Sequence, residues 1–208
     1  MKQEIDFHIP DQEEFVRGYE LFNKRVPHGT NNIWFEALSI VQDNWGNPAE
    51  MTRGISRLIR AWNRFYANFD LEAMSGCIDR NLAVLNQFRN RNINSLSEVD
   101  IPPIRNLFND FLVSLRRVRD NRKSPVSVAK ALSLIAPNFF PLWDSNIALA
   151  YGCCFYFSDS ADELYIKFCH KMKLLADIVR NFVPEQDDRP LLKRIDEYNF
   201  SRYTAHWI

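Results

Sequence analysis

The stretch SPVSVAKALSLIAPNFFPLWDSNIALAYG, residues 124–152, sets one aspartate between two helical runs. Val128, Ala131, Leu132 and Ile135 recur at helical spacing and mark a buried helix. Pro137 and Pro141 bracket a short turn, and Asp144 then opens a second helix carrying Ile147, Ala148 and Tyr151. By spacing, Asp144 is an N-cap whose carboxylate accepts the backbone N–H of Asn146 or Ile147, an arrangement worth about 1 kcal/mol. A cap occupies only part of a carboxylate, so the same residue is also a candidate for chemistry.

Working outward, helical periodicity continues along most of the 208 residues. In TRGISRLIRAWNRFYANF, residues 52–69, Ile55, Leu58, Ile59, Trp62, Phe65 and Tyr66 form one stripe facing a core. Further helices are expected at 11–25, 32–43, 70–89, 102–119, 125–136, 144–152, 160–183 and 188–199. Start signals support several of them: Pro48 after Asn47, Pro103 in a first turn, and Asp70 and Ser124 ahead of apolar-periodic runs. With only 6 glycines against 16 phenylalanines and 5 tryptophans, a many-turned β-sandwich is disfavoured. No alternating run demands a strand, although a short extended pair near Phe155 to Phe157 stays open. The polar stretch NQFRNRNINSLSEVD, residues 86–100, interrupts the apolar period and is the best candidate for a connection between lobes. The expectation is one all-α domain over residues 1–208, two-lobed, with a ligand cleft between the lobes. A monomer is favoured.

Charge is balanced, 26 basic against 26 acidic residues, so only its local placement informs. Arg53, Arg57, Arg60 and Arg64 line one edge of their helix, either a solvated face or a track for phosphates. The segment SLRRVRDNRKSPVSVAK, residues 114–130, gathers Arg116, Arg117, Arg119, Arg122, Lys123 and Lys130 against the single acid Asp120. A helix start beside cations suits a phosphate, with Ser124 and Ser127 supplying hydroxyls; the plain alternative is a solvated loop. In VPHGTNNIWFEAL, residues 26–38, Gly29, Thr30, Asn31 and Asn32 precede a helix bearing Trp34. The amides of Asn31 and Asn32 offer both donors and acceptors to a ligand at a cleft edge, and Thr30 or Asn31 equally suits a cap.

The four cysteines are read as reduced thiols, mostly buried, because Cys153 and Cys154 are adjacent and Cys77 and Cys169 are isolated. The four histidines are scattered, so no metal site and no cofactor are expected. No apolar run reaches the length of a membrane span or a secretion signal, and a cytoplasmic protein without membrane association is expected.

Helix, proline-containing turn, hydrophobic approach, Asp144, two polar residues, Ile147, then a small residue and Tyr151-Gly152 resemble the segment after the hairpin in helix-hairpin-helix DNA glycosylases. The resemblance spans about residues 116–152. It implies an all-helical, two-lobed enzyme that everts a nucleotide from DNA into its cleft and cuts the N-glycosidic bond, with Asp144 as the essential aspartate. It implies stacking walls as well, for which Trp34, Trp45 and Trp143 are candidates. The family's hairpin is rich in glycine, whereas NRKSPVSVAK, residues 121–130, has none, so phosphate contact falls to Arg122, Lys123, Ser124 and Ser127. Lytic members carry a lysine where Val126 aligns, one helical turn before Lys130. A monofunctional, water-using enzyme is therefore expected, with Lys130 a secondary catalytic candidate. The resemblance implies a damaged or modified base as the target, with a modified base in viral DNA as one candidate. Two other classes stay open: a non-catalytic DNA-binding module on the same scaffold, and a helical interaction protein unrelated to DNA.

Overall fold

The fold is that of a computed structural model, which describes residues 6–155, 160–183 and 189–208. Among these the chain is all-α: nine α-helices, no strand, and a single isolated antiparallel bridge between Phe69 and Arg117. The helices are α1 (Gln12–Arg25), α2 (His28–Asp43), α3 (Pro48–Trp62), α4 (Leu71–Phe88), α5 (Ile101–Ser114), α6 (Pro125–Ile135), α7 (Ser145–Ala150), α8 (Ala161–Val179) and α9 (Leu191–Asn199). A five-residue π turn, Phe200–Thr204, continues α9.

Local chemistry sets most of the helix starts. Asp11, Asn47, Asp70, Ser124 and Asp144 each accept a backbone N–H from the first turn of the helix they precede. α2 begins four residues earlier than its periodicity suggested. Pro27 fixes the entry, and its carbonyl accepts the N–H groups of Thr30 and Asn31, so both lie inside the first turn rather than capping it. α5 stops at Ser114, short of 119. Beyond it Val118 N–H donates to Asn68 O at 2.9 Å, Arg117 N–H to Arg122 O at 2.9 Å, and Asn121 takes φ 58°, a left-handed turn. The Arg117 guanidinium pairs with Asp120 and lies 3.7 Å from the Phe65 ring centre, which fastens this basic segment against the end of α3.

α6 packs against α2, α3 and α5, and every residue from Ser127 to Ile135 is buried. Such a helix is apolar nearly all round because helices surround it. α2 and α3 approach closely at Gly54, where a Cβ would stand 2.7 Å from Val41 Cγ2 and 2.9 Å from Ala37 O. α9 packs on α1 and α8, and the π turn reaches α7. Phe108, Trp143, Tyr165 and Phe168 form an aromatic cluster beneath α7, with Trp143 and Phe168 stacked at 6.1 Å.

Residues 86–100 join α4 to α5 through two short 3-10 turns, and they are well fastened. Ile93 and Leu96 are buried, Ile93 N–H donates to Asn138 O at 2.8 Å, and Lys173 Nζ donates to Leu96 O at 2.6 Å. Arg91 grips Asp100 with two bonds of 2.6 and 2.8 Å, and that guanidinium holds the Asp100 carboxyl at about 2. Phe155 has no regular structure, and the rest of the extended pair expected there lies outside the described residues. Among the described residues no helix is long and apolar enough to cross a membrane.

Candidate active site

A cleft of about 910 Å³ opens where the starts of α6 and α7 meet the end of α3. Rings line much of it: Phe22 from α1, Trp62 at the end of α3, Tyr66 from the 3-10 turn that follows, Trp143 and Phe155 flanking α7, and Phe200 from the π turn. Four acidic or basic side chains also line it, Lys123, Lys130, Asp144 and Asp196. Apolar walls around a few convergent polar groups are the usual composition of a ligand site.

Asp144 enters through its capping geometry. Its Oδ1 accepts the Ile147 N–H at 2.8 Å, which settles the capping partner, and its Oδ2 accepts the Thr204 hydroxyl at 3.1 Å. Burial pushes its carboxyl above the ordinary 3.8; nearby Asp196 pushes the same way, while the Ile147 N–H, the Thr204 hydroxyl and Lys130 pull back. Each oxygen thus has one donor and retains room for another.

Lys130 is the buried cation of the cleft. It is 8% exposed, its Nζ donates to Trp62 O at 3.0 Å, and burial lowers its ammonium to about 8 despite Asp144 and Asp196. An amine in that range exchanges its proton near neutral pH.

The other sequence candidates divide. Lys123 and Ser124 line the cleft, Lys123 exposed at its mouth and Ser124 buried as the α6 cap. Arg122 is exposed beside them and 3.4 Å from Asp120. The Ser127 side chain is fully buried; its hydroxyl donates to Ser124 Oγ and accepts from Asn63 Nδ2 at 2.8 Å, so it faces the interior rather than a phosphate. Trp143 lines the cleft as expected of a wall, although it is 1% exposed and its indole N–H meets no acceptor among the described residues.

Asn31, Asn32 and Trp34 do not line this cleft. Because α2 starts at His28, Asn31 turns inward to Asn23 at 3.3 Å, Asn32 is exposed, and Trp34 is core packed on Phe35. Trp45 also lies elsewhere, donating to Asn86 under the Arg89 guanidinium. Arg53, Arg57 and Arg60 line a separate groove between α2, α3 and α4, which meets the cleft at Ala61. There Arg57 pairs with Glu36, and Arg53 with Glu50.

Asp196, Lys193 and Thr204 were not singled out from the sequence, and Trp62 was read only as part of a core-facing stripe. Lys193, Asp196 and Glu197 stand at i, i+3 and i+4 in α9, the pattern of a solvated ion-pair stripe. Packing buries it instead: the Lys193 side chain is 0% exposed, bonded to Asp196 at 3.0 Å and enclosed by the rings of Phe22, Trp34 and Trp62. Among the described residues, no three His, Cys, Asp or Glu side chains group as a metal site would require. No family model, no curated protein and no solved structure matches the chain.

Proposed function

We propose that the protein is a DNA glycosylase of the helix-hairpin-helix kind, hydrolysing the N-glycosidic bond of a damaged or modified base to leave an abasic site. The observation that carries this reading is the placement of Asp144: capped into α7 by one oxygen, held by Thr204 through the other, and facing a ring-lined cleft beside Lys130. Within residues 116–152 a basic turn, α6 and an aspartate capping α7 follow one another in the order on which the resemblance rests, which supports the reading.

A base everted from the duplex loses a few kcal/mol of stacking and pairing, and rings such as Trp62, Tyr66 and Phe200 offer replacement stacking. As the C1′–N bond breaks, positive charge grows on the sugar. Ionised Asp144 stabilises that charge and orients water for attack at C1′, while the departing base takes up a proton. Since burial raises the Asp144 carboxyl, this activity is lost as pH falls through its raised value. Arg122 and Lys123 at the mouth neutralise backbone phosphates.

Lys130 favours a second reading. Its lowered ammonium beside the cleft suits attack of the free amine on C1′, expelling the base and forming an imine with the opened sugar. A covalent protein–DNA adduct separates the two chemistries.

The test is incubation with duplexes carrying varied modified bases, followed by alkali to break the strand at abasic sites. Strand breaks from the wild-type protein and none from Asp144→Asn support the proposal. Retention of DNA with no break at any base would favour a binding module instead.

A further inference from the structure

Asp196 reaches the cleft from α9 and shares it with Asp144 and Lys130. Unlike Asp144, it has a dedicated cation: its Oδ2 accepts from Lys193 Nζ at 3.0 Å. That ammonium is buried under Phe22, Trp34 and Trp62, and its other carboxylate, Glu197 at 3.5 Å, also has Arg189 and Arg194 as partners. A buried lysine is costly without counter-ions, so Lys193 and Asp196 hold each other in place.

We propose that Asp196, anchored by Lys193, is a positioning residue of the cleft: a fixed carboxylate that opposes the charge on Asp144 and supports the charge on Lys130. This rests on the glycosylase reading for its catalytic meaning, while the electrostatic arrangement is a property of the free protein. The groups facing Asp144 come from four elements: Ile147 N–H of α7, the Thr204 hydroxyl of the π turn, Lys130 of α6 and Asp196 of α9. Of these, Asp196 alone repels the ionised form. Lys130 is drawn the other way, because Asp196 favours its charged form. Burial is the larger cause at both groups, and this one carboxylate adds to it at Asp144, favouring the neutral acid, and opposes it at Lys130, favouring the ammonium.

The experiment titrates the protein without DNA, following the Asp144 side-chain carbon and the Lys130 Cε by carbon NMR in the wild-type and Asp196→Asn proteins. Loss of the Asp196 charge should lower both midpoints. A structural loosening of the cleft would move them in opposite senses, since exposure returns Asp144 down toward 3.8 and Lys130 up toward 10.5. An unmoved Asp144 midpoint or a raised Lys130 midpoint would overturn the proposal. If Lys193 with too few counter-ions prevents folding, Lys193→Met/Asp196→Asn is compared with Lys193→Met, and the same two downward shifts are expected. With DNA, the acid limb of single-turnover excision should follow the Asp144 midpoint downward in Asp196→Asn. Absence of excision by the wild-type protein counts against the glycosylase reading alone, because the titration is read without substrate.

Discussion

Replacing Asp144 by Asn separates what the residue does for the fold from what it does in the cleft. Asn is nearly as good an N-cap as Asp, so the bond from Ile147 N–H survives, whereas Asp144→Ala removes the cap and costs about 1 kcal/mol. Both variants lack the buried carboxyl, so in a chain of 208 residues the lost cap corresponds to a Tm of the Ala variant about 2–4 °C below that of the Asn variant. Between the Asn variant and the wild type, the sign follows from proton linkage. The Asp144 carboxyl is raised above 3.8 in the folded protein, so the folded state binds more protons than the unfolded one between 3.8 and the raised value. Wild-type stability therefore declines as pH rises through that window. Asn has no such loss, and its Tm at pH 7 should equal or exceed the wild-type value. Its excision rate should instead drop about 10²–10³-fold, the usual loss when one preorganised electrostatic partner of a transition state is removed. Thermal melts from pH 3 to 8 beside single-turnover abasic-site formation measure both. A folded Asn variant with near-normal excision would refute the catalytic role; one that melts as far down as Ala would refute the capping and burial argument.

The basic turn, the lysine and the fastened connection give three further tests. Arg122→Ala/Lys123→Ala should weaken binding to all DNA sequences alike and make its salt dependence shallower by about two phosphate contacts; an unchanged slope removes the turn from the DNA surface. Borohydride should trap no adduct with the wild-type protein if water is the nucleophile, and an adduct lost in Lys130→Ala would establish the imine chemistry instead. Asp100, held at about 2 by Arg91, contributes stability that is complete above 3.8 and lost as pH falls through 2. Asp100→Asn should cost about 2 kcal/mol in denaturant melts at pH 7 and nothing below about pH 2, and a pH-independent difference would contradict the ion-pair account.

The helices were legible because caps and periodicity are local: Asp11, Asn47, Asp70, Ser124 and Asp144 all mark starts within one residue of the helices they cap. The end of α5 was not, because the bridge from Phe69 to Arg117 and the bond from Val118 to Asn68 join segments about 50 residues apart. In the cleft, Asp144, Lys130, Trp143, Lys123 and Ser124 were found from one contiguous stretch. Asp196 gave no signal, and Trp62 read only as core, because their place in the cleft comes from which helices pack together. A Lys-x-x-Asp-Glu pattern reads as solvated until α9 is laid against α1 and α8. The two asparagines before Trp34 misled in the converse way, since a proline two residues ahead of Gly29 starts the helix early and turns Asn31 inward.

The central claim, that Asp144 serves bond cleavage in the cleft, is tested most directly by chemical detection of the released base. Wild-type protein in molar excess is incubated with DNA containing a mixture of natural and modified bases, and small molecules are separated and identified by mass spectrometry. The account predicts a free base from the wild-type protein in one-to-one ratio with new abasic sites, and no such base from folded Asp144→Asn. Equal release by both proteins, or bound DNA with no free base from either, would contradict it.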